Sequence, residues 1–96
     1  MVRVIYRWRV EEGRREEFIR WWHEGTLRIR AHHSGALGST LCEPTAAGDH
    51  LVGIARWETL DDLTLFWQKP GGADFPAAVM ESAEILEEVH HLTEED

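Results

Sequence analysis

Five tryptophans, Trp8, Trp21, Trp22, Trp57 and Trp67, and a single tyrosine, Tyr6, stand in a chain of 96 residues. Indole and phenol rings are flat apolar walls that each carry one polar tip. Such a wall suits a flat aromatic ligand, and the Tyr6 hydroxyl can donate to an oxygen that gains charge during a reaction. The plainer use of the same rings is to fill the core, and residue type alone favours that use for Trp67 at the end of a short helix. His23, beside Trp22, is the histidine placed to reach such a wall as a base, although its default is a solvated helix side.

Six histidines invite a metal, but their spacing argues against one. His90 and His91 are consecutive on an expected strand, where they would point to opposite faces. His32 and His33 close a helix, where positive charge is favourable for a structural reason. No HxxxH, CxxC or HExxH pattern occurs. Cys42 has no activating histidine beside it and reads as a half-buried strand residue. Asp61 and Asp62 read as first-turn helix acids, and "KPGG" leads into no GK[ST] that would cradle phosphate.

The elements that must position these residues follow from periodicity. Val2 to Val10 alternates Val2, Val4, Tyr6, Trp8 and Val10 against Arg3, Ile5, Arg7 and Arg9, which is strand spacing, and Gly13 suits the turn that follows. "RREEFIRWWHEGTLRIRAHH" places Phe18, Trp22, Gly25 and Ile29 on one helical stripe. Trp21 falls at the edge of that stripe, toward a partner subunit. Gly25 weakens the helix interior and suggests close approach to the sheet or room for a ligand. Leu37 to Glu43 is a glycine-rich second strand, expected to bend or bulge, and His50 to Glu58 is a third. Thr59 can cap a helix from Leu60 to Gln68. Asp74 to Ala83 reads as a further helix with Phe75, Val79 and Ala83 on one side, and "ILEEVHHLTEE" reads as the fourth strand. The order βαββ(αα)β is an α+β, ferredoxin-like split βαβ with a four-stranded antiparallel sheet, and residues 1–96 make one domain.

Eighteen acidic residues against ten basic give a net charge of −8, which opposes a phosphate backbone, so nucleic acid is not an expected partner. No segment approaches the length of a membrane span, and neither a membrane helix nor a signal peptide is expected. A lone cysteine excludes an internal disulfide and fits a reducing cytoplasm.

Several stretches resemble the antibiotic biosynthesis monooxygenase family, whose members are dimeric α+β barrels. They are the opening strand with its turn at Gly13, "SGALGSTL", and "GIARWETLDDLTLFW", and the likeness runs over roughly residues 2 to 93. The resemblance implies a homodimer with two sheets packed back to back, helices on the outer faces, and an apolar pocket in each subunit for a flat polycyclic substrate. Ile5, Ile54 and Val52 are then expected in the interface. Trp67 falls where the family often places a pocket tryptophan, and Tyr6 falls where its heme-degrading branch carries Asn. This chain contains no Asn, and that branch also needs a histidine after the tryptophan, where "DFPAAVMES" offers Val79 or a neighbour. Heme is therefore not expected, nor is flavin, for want of a phosphate-binding loop, nor a metal, given the spacing of the histidines.

The leading functional expectation is a cofactor-independent monooxygenase that oxidises an electron-rich phenolic or anthrone-like aromatic with O2. Its candidate catalytic set is Trp67, Tyr6 and His23, with Trp8, Trp22, Trp57 and Phe75 binding substrate. The competing expectations are a non-catalytic dimeric module for a small ligand and an isomerase or cyclase on the same fold.

Overall fold

Side chains that alternate along the first strand can only be buried if something covers one of its faces, and two helices do so here. The computed structural model describes residues 1–46, 48–68, 75 and 77–92. In chain order they form β1 (Val2–Val10), α1 (Arg15–His32), β2 (Ala36–Cys42), β3 (His50–Trp57), α2 (Leu60–Gln68) and β4 (Ala78–Glu87). The four strands make one antiparallel sheet in the order β2-β3-β1-β4, the expected ferredoxin-like α+β arrangement.

Local chemistry explains most of the boundaries. Gly13 takes a φ of 81° in the turn between β1 and α1. Thr59 caps α2, its hydroxyl accepting from the Asp62 N–H at 3.1 Å and donating to the Asp62 carboxylate at 2.8 Å. The glycine-rich β2 shifts register against β3 between Ala36 and Gly38, as its composition suggested. Gly25 does not approach the sheet: a Cβ there would meet the Arg28 guanidinium at 3.8 Å and nothing closer.

The chain after α2 departs from the sequence reading. A helix over 74–83 is not formed, because Ala78 already opens β4 and Val79 and Ala83 lie on that strand. Asp74 and Pro76 lie outside the described residues. The free edge of β1 supplies the reason: Val10 pairs with Ala78 and Val2 with Glu87, a ladder that a spacing of four among Phe75, Val79 and Ala83 cannot outweigh. The fourth strand therefore starts earlier than Ile85 and ends at Glu87. His90 and His91 follow it rather than sit on it, and 93–96 lie outside the described residues.

The covered face of the sheet holds two apolar clusters. Val2, Val4, Trp57 and Leu63 form one, and Trp8, Val10, Phe18 and Leu51 form the other. Leu63 anchors α2 and Phe18 anchors α1, both fully buried, and each such side chain stabilises by about 1.5–3 kcal/mol. Tyr6 packs against both clusters, so the phenol sits where they meet. On the opposite face, Ile5, Val52 and Ile54 are part-exposed. There Glu88 accepts from Arg3 Nε at 2.8 Å and from Arg56 Nε and Nη2 at 2.8 and 3.2 Å. These two guanidinium groups, Arg56 foremost, hold the Glu88 carboxyl down at about 2. Cys42, expected half-buried, is exposed at the end of β2. Among the described residues no helix is long and apolar enough to cross a membrane.

Candidate functional site

The two clusters do not close over one another, and the gap between them is a cavity of about 350 Å³. Its floor is the covered face of the sheet, from Tyr6, Trp8, Ala55 and Trp57. One wall comes from α1 through Trp21, Trp22, Thr26, Ile29 and Arg30, and the other from α2 through Phe66 and Trp67. Gly38 and Ser39 of β2 line one side, and Met80 of β4 also contributes.

Backbone spacing explains why these side chains converge. Alternation on β1 puts Tyr6 and Trp8 on the same face, where their rings stack at 5.4 Å with planes 24° apart. Gly53 lies directly opposite Tyr6 on β3. A Cβ at that position would stand 2.7 Å from Trp8 Cζ3 and 2.9 Å from Cη2, so the bare glycine is what lets the indole lie against the sheet. Past β3, α2 turns back over the same face, where Phe66 stacks on Trp57 at 5.2 Å and meets the His33 ring edge-on at 4.9 Å. The last turn of α2 brings Trp67 to Tyr6, and its indole N–H donates to the phenol oxygen at 3.3 Å.

That bond sets the chemistry of Tyr6. Its oxygen accepts from Trp67, which leaves the phenol's own O–H to donate elsewhere. Burial pushes the phenol up from its ordinary range, opposed by the Trp67 N–H, so it stays a neutral donor through neutral pH and beyond. Trp67 remains 45% exposed, which makes it a lid edge of the cavity rather than part of the packed interior.

Of the expected site residues, Trp67, Tyr6, Trp8, Trp22 and Trp57 all line this cavity. Two do not. His23 is exposed on α1 and is not part of the wall, because α1 is seated with Trp21 and Trp22 both toward the cavity, and a further step of about 100° past Trp22, away from Trp21, turns the imidazole to solvent. Phe75 packs behind the wall on Phe18 and Trp21, at 5.6 and 5.7 Å, with the Arg14 guanidinium 5.7 Å over its ring. Trp21, expected at a subunit edge, faces the cavity. Thr26, Arg30, Ser39, Phe66 and Met80 line the cavity as well, without having been expected there. A signal for two of them was present, since Trp22, Thr26 and Arg30 are spaced by four and share a helix face.

Among the described residues a larger depression, about 590 Å³, lies at the far end of β1. Charged groups rim it, among them Arg9, Glu11, Glu12, Arg15 and Glu43, and Arg15 pairs with Glu43. Such a rim is a solvated surface rather than a desolvated site.

A heme would need an axial ligand from this wall. His23, His32, His33, His50, His90 and His91 all lie outside the lining, and the Tyr6 oxygen is engaged by Trp67 with its ionisation disfavoured. The residues present do not fit an iron held by imidazole or phenolate.

The sequence profile of the family described as antibiotic biosynthesis monooxygenase matches residues 1–72. No curated protein matches the chain. Among solved structures, the heme-degrader MhuD of Mycobacterium tuberculosis, with two hemes bound in its active site, superposes with a TM-score of 0.79 at 19% identity over 97% of this chain and 100% of that one. A candidate antibiotic biosynthesis monooxygenase from Deinococcus radiodurans superposes with a TM-score of 0.75 at 12% identity, covering 97% of each chain. At these identities the likeness is one of fold.

Proposed function

Because this chain belongs to the antibiotic biosynthesis monooxygenase family, we propose that it is a cofactor-independent monooxygenase for a flat, electron-rich aromatic of phenolic or anthrone type. Family membership supports a monooxygenase-like or small-molecule-binding role in general. The finer reading is carried by one observation, the Trp67 N–H bonded to the Tyr6 oxygen in an aromatic-walled cavity, which leaves the phenol proton available to a guest.

In this chemistry the substrate supplies the electrons. An anthrone-like CH2 loses a proton to solvent to give an enolate, and the enolate carbon bonds to O2, which takes up two electrons and a proton to become a C–OOH group. Loss of the remaining C–H proton as the O–O bond of that group breaks then releases water. The CH2 ends as a ketone, one oxygen atom of O2 in the product and the other in water. The protein's part is to stack the rings between Trp8, Trp22 and Trp67, to keep water away, and to donate from Tyr6 to the enolate oxygen. A mostly apolar cavity makes that hydrogen bond stronger than it would be in water.

The same reading includes a homodimer, since the open sheet face carries the part-exposed Ile5, Val52 and Ile54. It places the protein in the cytoplasm, where an exposed thiol such as Cys42 persists reduced.

Oxygen uptake with anthrone is the direct test. Wild type should consume O2 in proportion to anthrone, and Trp67→Ala should abolish uptake while leaving the oligomeric mass unchanged. A second reading, a non-catalytic aromatic-binding module, is favoured by the absence of a histidine or carboxylate base from the described wall. Aromatic binding without any oxygen uptake in wild type would establish that second reading and overturn the first.

A further inference from the structure

Eighteen acidic residues against ten basic give the chain its net charge of −8, yet among the described residues no acidic side chain lines the cavity. Two arginines do. The guanidinium of Arg56 is turned to the other face of the sheet and held there by Glu88. That of Arg30 has no hydrogen-bond or ion-pair partner among the described residues. A cavity otherwise walled by indoles thus carries an uncommitted cation at its rim, and a desolvated anion is what such a cation complements.

The placement of Arg30 is specific. Trp22, Thr26 and Arg30 lie four residues apart on α1, so they form one ridge along the cavity wall. The order along the ridge is a stacking ring, a neutral hydroxyl donor, and a charged fork of donors. Arg30 runs along the edge strand: its Cδ and Nη1 lie 4.0 Å from where a Cβ on Gly38 would stand. Gly38, with φ 108°, sits at the register shift of β2. Tyr6 lies on the other side of β3, on β1. The strands carrying Gly38 and Tyr6 are two spacings apart, or about 10 Å.

From this arrangement we infer that the cavity takes an aryl carboxylate of two or three fused rings, its carboxylate held by Arg30 and Thr26 and an oxygen at the far end facing Tyr6. The inference rests on the aromatic-substrate reading above and narrows it to an acid. The rings stack on Trp22 and Trp8, and the two polar ends meet donors on opposite sides of β3. Arg30 is a binding residue here, and the hydroxyl-bearing ring near Tyr6 and Trp67 is the end at which oxidation would occur.

The test is calorimetric titration of the purified full-length chain with 6-hydroxy-2-naphthoate and with its neutral amide, 6-hydroxy-2-naphthamide. Wild type should bind the acid at least about ten-fold tighter than the amide, the scale of a hydrogen bond to a charged group at a partly exposed rim. Arg30→Gln should weaken the acid roughly ten-fold and leave the amide within about two-fold, and Arg30→Lys should recover part of the loss. Arg30 is exposed, so these variants should keep the wild-type near-UV circular dichroism. Equal affinity for acid and amide in wild type, or an equal loss of both in Arg30→Gln, would overturn the role of Arg30 while leaving the aromatic site standing. Binding of neither compound to wild type would remove the aromatic site as well.

Discussion

Replacing Gly53 by alanine should destabilise the protein and narrow its cavity at once. The new Cβ would stand 2.7 Å from Trp8 Cζ3, 2.9 Å from Cη2 and 3.6 Å from Trp22 Nε1. Carbon atoms in contact rest at about 3.5–4.0 Å, so the Trp8 ring must lift off the sheet by about 1 Å. It has little freedom to do so, because the ring is buried and sits 5.3 Å from Phe18 and 5.4 Å from Tyr6. Overpacking of this kind costs about 1–3 kcal/mol. Against it stands the roughly 0.4–1 kcal/mol that alanine gains over glycine through the unfolded chain. The overlap wins, and Gly53→Ala should lose on the order of 1–2 kcal/mol in urea unfolding, about 4–8 °C in Tm per kcal/mol for a chain of this size. The decisive comparison is a double-mutant cycle. In a Trp8→Phe background the smaller ring leaves space for the methyl, so Gly53→Ala should there cost at least about 0.5 kcal/mol less. The lifted ring should also weaken binding of a flat aromatic in the single variant. A Gly53→Ala protein within about 0.5 kcal/mol of wild type, or one that loses the same amount in both backgrounds, would refute the claim that this contact shapes the cavity floor.

Tyr6→Phe should lower turnover with anthrone by roughly ten- to a hundred-fold and change KM much less, since a donor to a developing oxyanion acts chiefly in the transition state. The raised Tyr6 ionisation makes the phenol's contribution to stability complete below its ordinary pKa and lost as pH climbs through the higher folded value; urea midpoints from pH 9 upward should therefore fall less steeply in Tyr6→Phe than in wild type. Glu88 has the opposite sign: with its folded value at about 2 against an ordinary 4.5, its contribution is present above pH 4.5 and fades as pH falls toward 2. Glu88→Gln should be less stable than wild type at pH 7 and show a shallower loss across that acid window, and parallel curves would count against the Arg56–Glu88–Arg3 bridge. Light scattering at micromolar protein should give twice the chain mass of 11.1 kDa, and Ile54→Glu on the open sheet face should halve it; a monomeric wild type would end the dimer proposal.

What could be read without the structure was what repeats locally. Period two marked β1, an apolar run marked β3, a stripe of period 3.6 marked α1, and Thr59 followed by Asp61 and Asp62 marked the start of α2, all within a residue or so of where they stand. Strand alternation put Tyr6 beside Trp8, and the return of α2 from β3 put Trp67 over them, so the proximity of Tyr6 and Trp67 in the candidate site was already legible in order and spacing. Phe75, Val79 and Ala83 show the limit: a spacing of four is evidence for a helix only until a free strand edge offers a full hydrogen-bonded ladder, and β1 offered one. His23 shows another, since one step around a helix decides between wall and solvent, and only the seating of α1 on the sheet chooses. The approach of Gly53 to Trp8, the turn of Arg56 toward Glu88 and the placing of Arg30 along Gly38 depend on register across strands and on a bulge. Those are relations between distant parts of the chain, settled by how side-chain volumes pack together, and no local pattern encodes them.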